Sequence, residues 1–173
     1  SYERWQKIIG SIPESSAQER FLRHYYNAFK WNKNIRVEGI PRAIRSKIIA
    51  IYENLIKKDA IFIFDELCQK AKLYGQLNYY NADNSSPLLS EKLADLFYIN
   101  ATPAYQILLY LFSCPDDSFI EPDFLDQAIG LLCKYYVRRN ATDFPPTRQL
   151  DQLHINLIEN CQKRIGIGEK LNI

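Results

Sequence analysis

Residues 102–113, TPAYQILLYLFS, decide the fold of this chain. A threonine followed by a proline is typical of a helix N-terminus, and residues 105–112 that follow are almost entirely apolar. A helix that is apolar on every side has to be packed on several sides rather than on one. We therefore expect this helix at the centre of the molecule, with the other elements around it.

The segments on either side are amphipathic, because apolar residues recur at three- and four-residue spacing and prolines mark starts rather than interiors. Ser16 to Glu19 have the spacing of a capping box, Pro41 fits a first helical turn, and Asp59 is a candidate N-cap. The helices predicted in this way cover residues 2–9, 16–31, 41–57, 59–74, 86–98 (or 90–98), 102–113, 122–139 and 147–166. The sequence thus predicts an all-α fold, an irregular multi-helix bundle of about eight helices with no significant sheet.

The composition is that of one soluble globular domain over residues 1–173, since 47% of the residues are hydrophobic and 24% are charged. No window approaches the roughly 18 uninterrupted apolar residues of a membrane span, and the N-terminus is too polar for a signal peptide. We expect a cytoplasmic protein without a membrane partner. The chain has no methionine, even at position 1, so we also expect it to be a fragment of a longer protein.

The overall charge is close to balanced, with 22 Lys and Arg against 20 Asp and Glu. This balance is too mild for a dedicated nucleic-acid-binding domain, so any anion site must be local. The cysteines are widely spaced without a C-x-x-C pair, and only two histidines are present. We therefore expect no zinc and no other cofactor in this segment, and we interpret the four cysteines as buried free thiols.

Three further features favour structural over chemical roles. The acidic stretch 116–126 lacks the ligand alternation of a calcium loop, and negative charge before a helix is explained by the helix dipole. Gly166 to Lys170 lack the spacing of a phosphate loop and are more typical of a helix C-cap. His24 and His154 have no adjacent nucleophile, so we interpret both as structural.

Basic residues carry the strongest functional signal, around the connection 140–146. Arginines beside tyrosines can hold phosphates bidentately and stack on bases. The alternative is that arginines at a helix C-terminus interact favourably with the negative end of the helix dipole and pair with carboxylates of a neighbouring helix. The residues predicted to contact DNA phosphates or another domain are Lys134, Tyr135, Arg138, Arg139 and Arg148. A second basic group, Arg42, Arg45 and Lys47, lies around the start of an earlier predicted helix.

A resemblance to a known family is visible in three runs of the sequence. Residues 135–140 read YYVRRN and are followed by TRQL at 147–150 and a leucine-bearing final helix. Residues 21–25 read FLRHY, and residues 48–54 read IIAIYEN. In this order the runs resemble the helical segment of the GmrSD-like family, the modification-dependent (type IV) restriction proteins. The resemblance covers most of the chain, and its most specific motif is Val137-Arg138-Arg139.

The resemblance implies a bacterial defence protein that recognises and cuts modified foreign DNA using nucleotide hydrolysis. Such proteins have an N-terminal ParB-like nuclease-fold domain with an Asp-Gly-Gln-Gln-Arg type motif, which is missing here. They can also have a C-terminal HNH-type module with a histidine-centred metal site, and neither histidine of this chain has suitable neighbours. We therefore assign no catalytic residue and no metal site to this segment.

Our leading hypothesis is a non-catalytic helical domain that supports the nuclease-fold domain of the same protein and contacts DNA phosphates. The alternative is a free-standing helical module that binds a partner protein through exposed aromatic side chains. Its candidate anchors are Trp31, Tyr79 and Tyr80.

Overall fold

A computed structural model describes the backbone of residues 2–78, 87–114 and 122–171, and the side chains of these residues except 87–90, 122 and 164–171. The described residues form seven α-helices, two short 3-10 turns and no strand, which confirms the all-α class. The helices are α1 (Tyr2–Ser11), α2 (Ser15–Phe29), α3 (Ile48–Asn78), α4 (Pro87–Tyr98), α5 (Tyr105–Leu111), α6 (Pro122–Thr142) and α7 (Thr147–Leu171). The 3-10 turns, Arg45–Lys47 and Thr102–Ala104, precede α3 and α5.

The apolar helix α5 lies at the centre, as predicted. All of its seven residues are buried, and it packs against α2, α3 and α7. Its first residue, Tyr105, meets Tyr74 of α3 edge to face, with 6.0 Å between the ring centres. The surrounding core combines buried aromatic side chains, mostly from α2, with aliphatic side chains, mostly from α3.

The prediction of about eight helices is slightly wrong, because two predicted helices form one bent helix. At Asp59 the backbone of α3 leaves the helical region, with φ −160° and ψ 93°. The Asp59 carboxylate accepts a hydrogen bond from the backbone N–H of Phe62 at 3.0 Å, which caps the second part of α3. The predicted N-cap is therefore confirmed, while the helical turns on its two sides join without a loop.

One predicted cap and two predicted helix ends are also wrong. α2 begins at Ser15 after Glu14, whose side chain makes no capping bond, so Ser16 lies inside the helix and forms no capping box. Residues 41–44 are not helical, since the backbone of Ala43 is bound by Asn27 of α2 and that of Pro41 by Lys30, which follows α2. α7 continues past Gly166 to Leu171, because glycine weakens a helix without ending it.

α1 packs on the second part of α3 through a close backbone contact. A Cβ added to Gly75 would lie 2.4 Å from the backbone oxygen of Ser11. Further along the same two helices, Arg4 pairs with Asp65 at 2.7 Å, and the Cys68 thiol donates to the Arg4 carbonyl oxygen at 3.2 Å. The absence of a side chain at Gly75 is what allows α1 to lie so close to α3.

α4 and α6 pack mainly against each other. Lys92 of α4 pairs with Asp126 of α6 at 2.6 Å, which ties together the two helices. Within the described part of the chain, no helix is long and apolar enough to cross a membrane. The four cysteines are only half-buried, so the prediction that they are buried is wrong.

Both histidines are buried beside tyrosine hydroxyls. His24 Nδ1 lies 3.0 Å from the Tyr74 hydroxyl, and His154 Nε2 lies 3.4 Å from the Tyr136 hydroxyl. Burial lowers the pKa of His24 well below its usual value, helped by the charge of Arg23. Burial lowers the pKa of His154 to about 4. Both rings are therefore neutral at pH 7.

We expect Gly75→Ala to lower the free energy of unfolding by about 1 to 3 kcal/mol, because its methyl group would push α1 away from α3. The matched control is Gly10→Ala, since no atom lies within 4 Å of a Cβ built there. The control should stabilise the protein by up to about 1 kcal/mol, as alanine favours a helix over glycine. Urea unfolding checks both, and equal effects would contradict the close contact.

The buried histidines predict that stability falls in acid. The unfolded chain takes up protons near pH 6.5, whereas the folded pKa of His154 is about 4, so the stabilisation is complete above pH 6.5 and is lost as the pH falls toward 4. The loss is at most about 1.4 kcal/mol per pH unit for each histidine. His154→Gln should therefore show a shallower decline than the parent in urea unfolding between about pH 7 and pH 5. Parallel curves would contradict this assignment.

Candidate functional site

Positive charge is concentrated in residues 30–47, here called the basic segment. This segment holds six of the 22 Lys and Arg and one of the 20 Asp and Glu. Its formal charge is therefore +5, while the rest of the chain carries −3. It joins α2 to α3 and includes the 3-10 turn Arg45–Lys47. A nearly neutral chain thus has a strongly basic surface region.

A buried asparagine fixes the end of the basic segment to the core. Asn27 Oδ1 accepts a hydrogen bond from the backbone N–H of Ala43 at 2.7 Å, and Asn27 Nδ2 donates to the Ala43 carbonyl oxygen at 3.3 Å. Nδ2 also lies 3.3 Å from Gln106 Oε1 of the central helix. Asn27, Ala43 and Gln106 are all nearly inaccessible to solvent. Because the amide pairs with both backbone groups of residue 43, the backbone there cannot join a helix.

Three further side chains hold the middle of the basic segment. The Tyr26 hydroxyl donates to the Ile40 carbonyl oxygen at 2.6 Å, and burial raises its pKa, so it stays protonated. Lys30 Nζ donates to the Pro41 carbonyl oxygen at 2.6 Å. Lys58 of α3 donates to the Lys33 carbonyl oxygen at 2.7 Å. The segment is therefore irregular in backbone but fixed in position.

A chain of polar contacts links the basic segment to α7. Gln106 Nε2 donates to the Asp151 carbonyl oxygen at 3.3 Å. The Asp151 carboxylate pairs with Arg23 at 3.1 Å, and Glu19 lies 3.7 Å from Arg23 and 3.8 Å from the exposed Arg45. The 3-10 turn of the basic segment is thereby connected to the start of α7 through the side chains of Glu19 and Arg23 on α2.

A cleft of about 480 Å³ opens between the basic segment, the end of α2 and α7. Trp31 lies at its edge with 47% of its surface exposed, although tryptophan is highly buried on average. The side chains that line the cleft are Tyr26, Asn27, Lys30, Trp31, Arg36, Ile40, Pro41, Ile158, Glu159, Gln162 and Lys163.

The cleft carries a net positive charge. Glu159 is its one carboxylate and is paired with Lys30 at 3.2 Å. Arg36 and Lys163 form no ion pair with any carboxylate among the described residues, and both are exposed. The cleft therefore combines an exposed aromatic ring with two cations that are available to a ligand.

Arg139, which was predicted to contact phosphate or another domain, forms hydrogen bonds and an ion pair with residues of its own chain. Its guanidinium donates to the Pro145 carbonyl oxygen at 3.1 Å and to the Thr147 hydroxyl at 3.0 Å, and lies 3.3 Å from Asp143 Oδ1. Only 16% of its side-chain surface is exposed. It therefore braces the turn from α6 to α7.

The other predicted residues lie around the same turn. Lys134, Arg138 and Arg148 are exposed, while Tyr135 is half-buried and meets Tyr136 edge to face at 5.3 Å. Arg148 and Glu159 of the cleft lie eleven residues apart on α7, which at 1.5 Å per residue is about 16 Å. The structure therefore does not bring the predicted cluster into the cleft.

Of the other candidate sites, several fall outside the described residues, namely Tyr79, Tyr80 and the acidic residues 116–121. Asp126, from the end of the acidic stretch, is paired with Lys92. Within the described residues no group of three or more His, Cys, Asp or Glu side chains could hold a metal ion.

Sequence reasoning named Trp31, Arg42, Arg45 and Lys47 but did not join them into one site. The signal that could have found it is the local charge of the basic segment, which the balanced charge of the whole chain conceals. The contributions of Glu159 and Lys163 from α7 could not be found in this way, since they lie more than 100 positions further along the chain.

Comparisons with protein-family models, curated proteins and solved structures found no match to this chain.

We expect Asn27→Ala to lower the free energy of unfolding by about 2 to 4 kcal/mol. The backbone N–H and carbonyl oxygen of Ala43 and the side-chain oxygen of Gln106 would each lose a hydrogen bond while remaining buried. The control is Asn54→Ala, since the exposed Asn54 amide bonds, among the described residues, only to the Ala50 carbonyl oxygen of its own helix. Its effect should stay within about 0.5 kcal/mol. Urea unfolding measures both, and equal losses would show that Asn27 does not hold the segment.

Proposed function

We propose that this chain is a non-catalytic, all-helical domain whose basic segment contacts the phosphates of DNA. The observation that carries the proposal is the +5 charge of residues 30–47. Four of its six cations form no ion pair with a carboxylate of the described residues: Lys33, Arg36, Arg42 and Lys47. Unpaired cations on a fixed backbone suit phosphate contacts, which position a protein on a nucleic acid without reading its sequence.

The resemblance to GmrSD-like proteins supports the same proposal. On this interpretation the domain belongs to a bacterial defence protein and supports its nuclease-fold domain. The pair α4 and α6 offers a surface for such packing, because several of its large apolar side chains are exposed. They are Phe97, Tyr98, Phe124, Leu131 and Val137, with Tyr98 at 72% and Leu131 at 69% exposure.

A free-standing module that binds a partner protein is the second candidate function. The observation that favours it is the half-exposed Trp31, because tryptophan is enriched among residues that dominate protein interfaces. A stable partner protein together with no salt-sensitive affinity for DNA would support this candidate over the first.

The DNA proposal is tested by the anisotropy of a labelled duplex at several salt concentrations. The triple variant Arg42→Gln, Arg45→Gln, Lys47→Gln should bind about tenfold more weakly, and its salt slope should fall by about 2 to 3, one for each lost phosphate contact. These side chains are on the surface or half-exposed, and none of them makes a hydrogen bond to the core within the described residues.

The matched control removes the same charge elsewhere through Lys134→Gln, Arg138→Gln and Arg148→Gln. A smaller effect of this control supports contact through the basic segment. Equal losses in the two variants would mean that binding follows net charge alone. A loss confined to the control would place the contact at the turn from α6 to α7 and contradict the proposal.

A further inference from the structure

The cleft beside Trp31 differs from the rest of the basic segment because it is a half-open recess with an apolar wall. Its volume of about 480 Å³ lies within the roughly 300 to 1,000 Å³ of small-molecule sites. Ile40, Pro41 and Ile158 line it together with Trp31. A duplex backbone would lie across an open surface, whereas a recess of this size suits one small group.

The walls of the cleft are fixed by hydrogen bonds and an ion pair that do not involve Trp31, Arg36 or Lys163. Tyr26 is bound to the Ile40 carbonyl oxygen, and Lys30 is bound to both Pro41 and Glu159. Gln162 is hydrogen-bonded to the Tyr110 hydroxyl. These bonds fix the loop wall to α2 and the α7 wall to the central helix. Trp31, Arg36 and Lys163 remain to meet a ligand.

The three available side chains define the ligand chemistry. An exposed indole face stacks on planar rings, and stacking on an aromatic side chain contributes about 1 to 3 kcal/mol per base. Arg36 and Lys163 together match a doubly charged phosphate, with the guanidinium able to bond two of its oxygens. A molecule that satisfies all three needs a flat ring and a phosphate monoester joined by a short linker, which describes a nucleotide.

We propose that the cleft binds one nucleotide, with its base on Trp31 and its phosphate between Arg36 and Lys163. The nucleotide is either free or the 5′-phosphorylated end of a strand, since both present the same chemistry. This inference deepens the proposed function and rests on it, because the basic segment supplies two of the three contacts. The proposed function places the phosphate backbone of DNA on the surface of the basic segment, whereas this inference adds a single nucleotide bound in the cleft.

The test is a fluorescence titration of the whole chain with adenosine 5′-monophosphate. The nucleotide should quench Trp31, and the quenching should disappear in Trp31→Phe, which keeps Trp5 as the internal reference. Adenosine and inorganic phosphate should each bind at least about tenfold more weakly, since each lacks one of the two recognised groups. A 5′-phosphorylated single strand that competes better than the free nucleotide would identify a strand end, and the reverse order would identify a free nucleotide.

Variants of the two cations separate this site from general charge. Arg36→Gln and Lys163→Gln should each weaken nucleotide binding about tenfold, as each removes a charge-assisted bond. Lys7→Gln on α1, which takes no part in the cleft, should have no effect. All three side chains are exposed, so unfolding curves are expected to be unchanged.

The inference is overturned if adenosine 5′-monophosphate up to about 10 mM leaves Trp31 fluorescence unchanged, since a stacking contact with two charge-assisted bonds should bind more tightly than that. It is also overturned if inorganic phosphate alone binds as tightly. Salt-sensitive duplex binding in the same samples would then leave the proposed function standing, whereas its loss together with nucleotide binding would remove both.

Discussion

The arrangement of this protein depends on the pairing of one buried amide with one backbone position. Asn27 both accepts from and donates to residue 43, and it also touches Gln106 of the central helix. An amide in this position satisfies backbone groups that a helix would otherwise have to satisfy, at a place that is buried from solvent. The chain can therefore carry an irregular, positively charged segment against an apolar core. The cleft and the exposed cations follow from that attachment.

Much of the helical framework could be predicted because its signals are local. The apolar run of α5 and the N-cap at Asp59 are each encoded within a few residues. The backbone of residues 30–44 could not be predicted, since the bonds that set it join positions 11 to 25 apart in sequence and leave no periodic pattern. Pro41 fits a first helical turn locally, and the distant bonds at Pro41 and Ala43 overrule that preference.

The predicted and observed basic sites show that residue type alone does not decide the role of an arginine. Arg139 resembled a phosphate ligand in sequence, yet its donors are used by Pro145, Thr147 and Asp143. Arg36 was not among the residues predicted from the sequence to bind phosphate, yet it lines the cleft and forms no ion pair among the described residues. The difference lies in which donors the fold has already satisfied, which only the three-dimensional arrangement reveals.

The most direct test of this account is amide hydrogen exchange of the intact chain with and without duplex DNA. The account predicts that the amide of Ala43 is already protected in the free protein, because Asn27 binds it in the core. It further predicts that DNA slows exchange across residues 30–47 more than across 134–148. Rapid exchange at Ala43 in the free protein, or slowing confined to residues 134–148, would contradict a fixed basic segment that contacts DNA.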